Sequence, residues 1–319
     1  MQSFKVNLSM VIRFFSKAVT LLAFMSILSV ANAVEVSFQS VSPGVYAYVG
    51  DIEGRTYDNE GLNANIGLVV TRDGALLIDS GASYQGAEKI AKAVQKVTTQ
   101  PIKWVINTGG QDHRWLGNGY FKAHGAEIMA HADALPDMKA RTNEHMSGLK
   151  ATLKERFDGT VPTYPTTWLK EKTSRLDLGG VQVVLEHRAG GHTPGDSVVW
   201  LPKSRVAFAG DVVYVDRVLG MHPVSKSKAW LDSFAMLEAL NPVIIIPGHG
   251  QVTDLRMARA QTKDLLSALR AHMARAIDAG QDMDSAIKSF DATPFKQLKH
   301  AEVWIPQLAN QTYLEIEQE

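Results

Sequence analysis

The sequence contains no cysteine among its 319 residues. That excludes disulfides, thiolate metal ligands and a cysteine nucleophile. It also spares an exported chain from misbridging. A charge excess is missing too, because 33 basic and 33 acidic side chains balance to a formal zero. The chain therefore carries no electrostatic footprint for nucleic acid or an acidic membrane, and neither partner is expected. Long apolar runs are scarce. The one over residues 18–30 is short for a spanning helix, which needs about 20 apolar residues. Lys5, Arg13 and Lys17 precede it and Ala31-Asn32-Ala33 follows it, the pattern of a cleaved signal peptide. The expectation is loss of residues 1–33, with cleavage near Ala33. The mature chain should then start at Val34, lack membrane attachment and work outside the cytoplasm, most simply in a bacterial periplasm.

What is present suits an ordinary globular core, with 45% hydrophobic and 21% charged residues. Residues 34–38 and 45–49 alternate like half-buried strands. Residues 51–62 are polar, with two glycines, and read as a surface loop. Two apolar β-type runs, 65–70 and 75–79, are joined by the turn signal Arg72-Asp73-Gly74. A helix is predicted over 84–97, strands over 102–106 and 126–130, and a mainly helical stretch over 132–157. Strand-like runs recur at 174–178, 181–186, 197–201 and 205–209. A helix at 228–240 and a short buried strand at 243–246 follow. Residues 254–319 are largely helical. Strands followed by helices, twice over, fit two sheets packed face to face with helices outside, among other α/β layouts.

Four loops, each after an apolar strand, offer His or Asp. They are Asp112-His113; His192 in Gly190-Gly191-His192-Thr193-Pro194-Gly195-Asp196; Asp211 after Phe208-Ala209-Gly210; and His249 in Pro247-Gly248-His249-Gly250. Groups at strand ends converge easily, because the sheet is rigid and the loops aim the side chains. The first loop runs Asn107-Thr108-Gly109-Gly110-Gln111-Asp112-His113-Arg114, followed by Gly117-Asn118.

Together these motifs resemble the metallo-β-lactamase superfamily over residues 65–250. The family loop reads Asn-Thr-His-x-His-x-Asp-His and is often followed by x-x-Gly-Asn. Read without gaps, Asn107-Thr108 and Gly117-Asn118 both match, and the ligand positions hold Gly109, Gln111, His113 and Arg114. A one-residue gap would instead restore Asp112-His113 as the Asp-His pair, at the expense of the Gly-Asn match. The resemblance implies an αββα sandwich of two mixed β-sheets flanked by helices over residues 34–253, with 254–319 as a helical extension packed on it. In full members two metals are held, one by the two leading histidines and the equivalent of His192. The other is held by the loop's Asp-His pair and the equivalent of His249, and a carboxylate matching Asp211 bridges them. The bridging Asp resembles thioesterase-type and sulfur-metabolism branches such as glyoxalase II. The nearest overall likeness is to exported metallo-hydrolases found with periplasmic sulfur-oxidation and quinoprotein systems.

Ligand counting then gives the expectation of one divalent metal held by His113, His192, Asp211 and His249, with none or two as alternatives. Three imidazoles and a carboxylate suit zinc, and iron or manganese less firmly. Asp112 is the expected general base, Arg114 the stabiliser of an oxyanion or an anionic substrate group, and Gln111 the residue that orients water. Arg114 has a second reading, in which its cation repels a metal and pairs with Asp211. Asp79 is read as a support behind the ligands. His124, His131 and His222 lack ligand spacing and are read as solvated or capping, while Tyr214 and Arg217 either contact substrate or close the core. The functional expectation is a mononuclear hydrolase of a thioester, ester or sulfur-containing small molecule. The competing readings are an inactive member kept as a binding partner, and a repurposed pocket that takes an anion in the room left by Gly109. Apolar stripes at Leu265, Leu266, Leu269, Met273 and Ile277, and at Trp304, Ile305, Leu308, Tyr313 and Ile316, predict docking faces, with a homodimer interface or a lid as the alternative.

Overall fold

A computed structural model describes residues 34–319; the expected signal peptide, residues 1–33, lies outside the described residues. The first sheet contains β1 (Gln39–Ser42), β2 (Val45–Tyr48), β3 (Ile66–Val70), β4 (Ala75–Ile78), β5 (Ile102–Asn107), β6 (Glu127–His131) and β7 (Thr167–Leu169), side by side in that order. Its first four strands pair antiparallel and the pairs from β4 to β7 are parallel. The second sheet contains β8 (Thr173–Leu178), β9 (Val181–His187), β10 (Ser197–Leu201), β11 (Val206–Tyr214) and β12 (Ile244–His249), in the order β12-β11-β10-β9-β8. Only its β11–β12 pair is parallel. Both sheets are thus mixed.

Parallel neighbours need crossovers, and helices supply them. α1 (Tyr84–Val97) links β4 to β5, while α2 (Asp112–Trp115) and α3 (Asn118–Ala123) link β5 to β6. α4 (Ala134–Leu153) links β6 to β7, and α5 (Ser227–Leu240) links β11 to β12. Apolar residues on both strand faces follow from this covering. Val69, Leu76, Ile78 and Ile106 meet Leu185, Val199, Phe208 and Ile246 between the sheets, while Leu77 and Val105 pack outward against Ile90 and Val94 of α1. At Gly67 the sheets approach so closely that a Cβ would lie 2.3 Å from the Phe208 ring.

Two sequence expectations need correction. Residues 34–38 alternate in burial but form no strand, because β2 spends its pairing on Gln39–Ser42 and Val36 instead buries in the core beside α1. The short strand β7, with all three residues only half-buried, was not anticipated.

The last third forms α6 (Leu255–Ala258), α7 (Asp264–Asp278), α8 (Met283–Ser289) and α9 (Ala301–Glu317). The stripe Leu265, Leu266, Leu269 and Met273 joins Ile305, Leu308 and Tyr313 of α9 against Tyr214, Val218, Leu219 and Trp230. The tail helices therefore share a core with the segment that follows the ligand strand β11.

Candidate metal centre

Asp211, inside β11, is the hub of the site. His113, in the first turn of α2 beyond β5, places Nε2 3.3 Å from Asp211 Oδ2. His249, at the end of β12, places Nε2 3.4 Å from Oδ1. His192, in the loop between β9 and β10, stands further off at 4.0 Å. All four are buried. The ligand atoms of His113, Asp211 and His249 lie within 4.8 Å of one another, and His192 is outside that group. Ligands held 2.0–2.2 Å from a tetrahedral zinc are separated by about 3.4 Å. The donor set and its spacing therefore fit one small divalent cation.

The supporting contacts agree with that fit. His249 Nδ1 faces the Asn63 carbonyl at 2.7 Å and His192 Nδ1 faces the Gly220 carbonyl at 3.0 Å. Each Nδ1–H donates to its carbonyl, which leaves Nε2 bare and aimed. His113 Nδ1 lies 3.1 Å from Arg55 Nη1 and 3.3 Å from Asp112 Oδ1. Arg55 can only donate, so its contact places the ring hydrogen of His113 on Nε2, toward Asp211; a ligating Nε2 requires the other tautomer, with Nδ1–H turned to Asp112 Oδ1. Burial lowers the pKa of His249, with Arg217 adding to the effect, and lowers His192 to about 3. Both rings stay neutral, the form that binds metal.

Arg114 lies behind Asp211 and away from the cavity. Its Nε and Nη2 hold Asp211 at 3.1 and 2.7 Å, Nη1 reaches Asp79 at 2.9 Å, and Nη2 also donates to the Gly248 carbonyl at 3.2 Å. It is 1% exposed and is not part of the cavity wall. The expected role in holding an oxyanion or substrate anion is therefore corrected: every face of the guanidinium is committed to protein. Burial opposes its charge, but Asp211 and Asp79 raise its pKa. Burial opposes the charge of Asp211 too, but Arg114 holds its pKa well below the usual carboxylate range, so the ionised Asp211 offsets the anticipated repulsion of a cation. Gly248 makes this possible, since a Cβ there would lie 2.5 Å from Arg114 Nη2.

The altered loop is closed at its first ligand position. A Cβ on Gly109 would lie 2.6 Å from Asp196 Oδ1, so the expected room for an anion is filled by that carboxyl. Burial pushes Asp196 up to about 8, and Thr193 N–H donates to it at 2.7 Å. Gln111 does not aim at water or metal. Its Oε1 accepts from Arg141 at 2.9 Å and its Nε2 donates to Asp112 at 3.2 Å, so it positions Asp112 instead. Asp112 turns to Arg55, with 3.3 Å between Oδ2 and Nε. Burial alone would raise its pKa, yet Arg55 and the hydrogen bond from His113 hold it far below the usual carboxylate range. So weak a base does not suit the proton-abstracting role expected of it. Asn107 and Asn118 exchange amide hydrogen bonds of 2.8 and 3.1 Å, which tie the start of the loop to the helix that follows it.

A cavity of about 470 Å³ opens beside the three ligands. His222 lines it, 4.9 Å from His192 between ring centroids, rather than being solvated as expected. Tyr214 and Arg217 line it as well. Arg217 packs 4.4 Å from the Trp304 ring, and its Nε has no hydrogen-bond partner. His124 lies elsewhere, bonded to the Tyr120 carbonyl. Sequence reasoning missed Arg55 and His145; Trp304, read as part of a docking stripe with a lid as the alternative, also lines the wall. His145, on α4, is 4% exposed with neither ring nitrogen paired. Nothing in the spacing of these residues signals a shared wall.

Comparison with known proteins accords with this architecture. The chain is 26% identical over 226 residues to the metallo-beta-lactamase type 2 of Bacillus cereus, covering 70% of this chain and 78% of that protein. Metallo-beta-lactamase IND-1 of Chryseobacterium indologenes is 24% identical over 211 residues, 65% of this chain and 78% of the relative. Among solved structures, a metallo-beta-lactamase from Pontibacter korlensis superposes with a TM-score of 0.56 at 20% identity, over 70% of this chain and 95% of its own. The stereoselective inverting sec-alkylsulfatase Pisa1 from Pseudomonas sp. gives 0.67 at 15% identity, over 87% of this chain and half of its own length. The family model of the metallo-beta-lactamase superfamily matches residues 59–249, the span that carries every ligand loop, and the chain belongs to that superfamily.

Proposed function

We propose that this protein is an exported, periplasmic hydrolase that works with a single divalent cation, zinc by its donor set, on a thioester, ester or sulfur-containing small molecule. One observation carries the reading: His113 and His249 offer imidazole nitrogens 3.3 and 3.4 Å from the two oxygens of Asp211, beside an open cavity. A cation held there supplies a Lewis acid and a water of lowered pKa. Arg114 holds the carboxylate in place from behind. His192 Nε2 is bare, 4.0 Å from Asp211, and accepts a hydrogen bond from water or substrate. Burial lowers His222 to about 4, so it faces the substrate as a neutral donor and acceptor. Arg55 and Arg217 bring positive charge to the wall that receives the substrate. No helix among the described residues is long and apolar enough to cross a membrane. A homodimer through the tail helices belongs to the proposal, with exposed Val303 and Leu314 of α9 as its contacts.

Metal analysis of protein purified without chelator tests this reading. Near one equivalent is expected, and His249→Ala should lose both metal and turnover of thioester and ester substrates. Full activity in that variant discards the mechanism. A second reading, an inactive member that binds a partner, is favoured by Gly109 and Gln111, which contribute no ligand, and by Arg114, which satisfies Asp211 without a metal. Near-zero metal content supports it.

A further inference from the structure

Three arginines are buried among the described residues, Arg114, Arg141 and Arg217. Arg114 meets Asp79 and Asp211, and Arg141 meets Asp137. Arg217 forms no ion pair with any described residue. Its one protein acceptor is the Glu53 carbonyl, 3.1 Å from Nη1, while the Glu53 carboxylate turns to Lys299 and His300. His249 Nδ1 also lies 3.5 Å from Nη1, but that nitrogen carries the hydrogen given to the Asn63 carbonyl and has no lone pair to offer.

The unused donors lie on one edge. Arg217 Nε has no partner, and Nη2 has no acceptor among the described residues. Nε and Nη2 are the pair by which Arg114 grips Asp211. A side chain 4% exposed that lines the cavity with this edge unmet is a cation lacking its counter-charge. It is nonetheless fixed in place. Val218 N–H donates to the Lys299 carbonyl at 3.0 Å, Lys299 N–H donates to Asp216 at 2.9 Å, and the guanidinium packs on the Trp304 ring of α9. Lys299 and Trp304 fall outside the span 59–249 that the family model matches. The tail, and not the family domain, therefore builds this end of the cavity. Leu219, Met221 and Leu308 make the wall beside it apolar.

We propose that Arg217 is an anion seat, and that the substrate is an organic anion carrying a carboxylate or sulfonate on an apolar body. Nε and Nη2 donate to two oxygens of the head group in a fork. The apolar body lies along Leu219, Met221 and Leu308. The assignment deepens the hydrolase reading and rests on it only for the claim that the bound anion is turned over.

Binding of benzoate, benzenesulfonate and neutral benzamide is measured by calorimetry on metal-stripped wild type, Arg217→Met and Arg217→Lys. Wild type is expected to bind one of the two anions about tenfold more tightly than Arg217→Met does, the loss of roughly one charge-assisted pair. The tighter of the two names the head group. Arg217→Lys keeps the charge without the fork and should fall between them. In the zinc-loaded protein, Arg217→Met should raise KM for carboxylate-bearing esters more than for their neutral counterparts. Equal affinity in wild type and Arg217→Met overturns the proposal. If that variant misfolds, wild type alone decides, because benzamide bound as tightly as both anions also overturns it. Absence of metal or turnover with anion binding intact would sink the hydrolase reading alone; full metal and turnover without anion preference would sink this assignment alone.

Discussion

Arg114 stands where the family pattern has a neutral histidine, yet it braces the site from behind. Its guanidinium is enclosed by Asp79 and Asp211. Removing one partner of such a buried network leaves the others charged and unpaired, at about 3–5 kcal/mol. Arg114→Ala should lose about that much in denaturant unfolding, while a loss under 1 kcal/mol would show that the network is not structural. Gly109→His restores the family ligand on paper. Asp196 Oδ1 occupies the space of its first side-chain atom, so the variant should lose stability and bind no additional zinc by metal analysis. His145 argues the opposite way. Each unsatisfied buried polar group costs about 1–3 kcal/mol, so His145→Leu should raise the melting temperature while weakening turnover. A fall in melting temperature would mean that the imidazole has a structural partner. These contacts were not legible in the sequence, because Arg114 and Asp79 are 35 residues apart and no motif links His145 to the ligand loops.

Elements were far more legible than wall residues. Period-two and period-3.6 patterns pointed to most strands and helices, because burial on one face leaves its mark on every second, third or fourth residue. The ligand loops were legible for a related reason: glycines and His or Asp gather where strands end. The role of the tail was not. Glu315 of α9 accepts from Ser227 N–H and Lys228 N–H at 2.7 and 3.2 Å, and from the Ser227 hydroxyl at 2.8 Å, so it caps the start of α5. Asp or Glu at a helix N-terminus satisfies orphan amides and complements the dipole. Loss of a cap costs about 0.5–2 kcal/mol, and Glu315→Ala should fall in that range by chemical denaturation. A chain cut after residue 253 bares Trp230, Val218 and Leu219 and should be recovered insoluble. A soluble, cooperatively folded fragment would show that the tail is dispensable.

At the scale of the molecule, acid should loosen the metal-free protein. His192 and His222 are held neutral in the fold, their pKa values lowered chiefly by burial to about 3 and about 4 from an ordinary 6.5. An unfolded chain takes up those protons first as pH drops. Their contribution is therefore complete above about pH 6.5 and is lost as pH falls through 4 toward 3. Urea midpoints measured across that window should decline, and His222→Asn should flatten the decline; an unchanged slope would remove His222 from the cause. Glu315 also has a consequence in time. It leaves the ribosome 88 residues after its partner Ser227, so a nascent chain can assemble its strands but must wait for that late carboxylate before α5 settles. Until then the first amides of that helix are left to water.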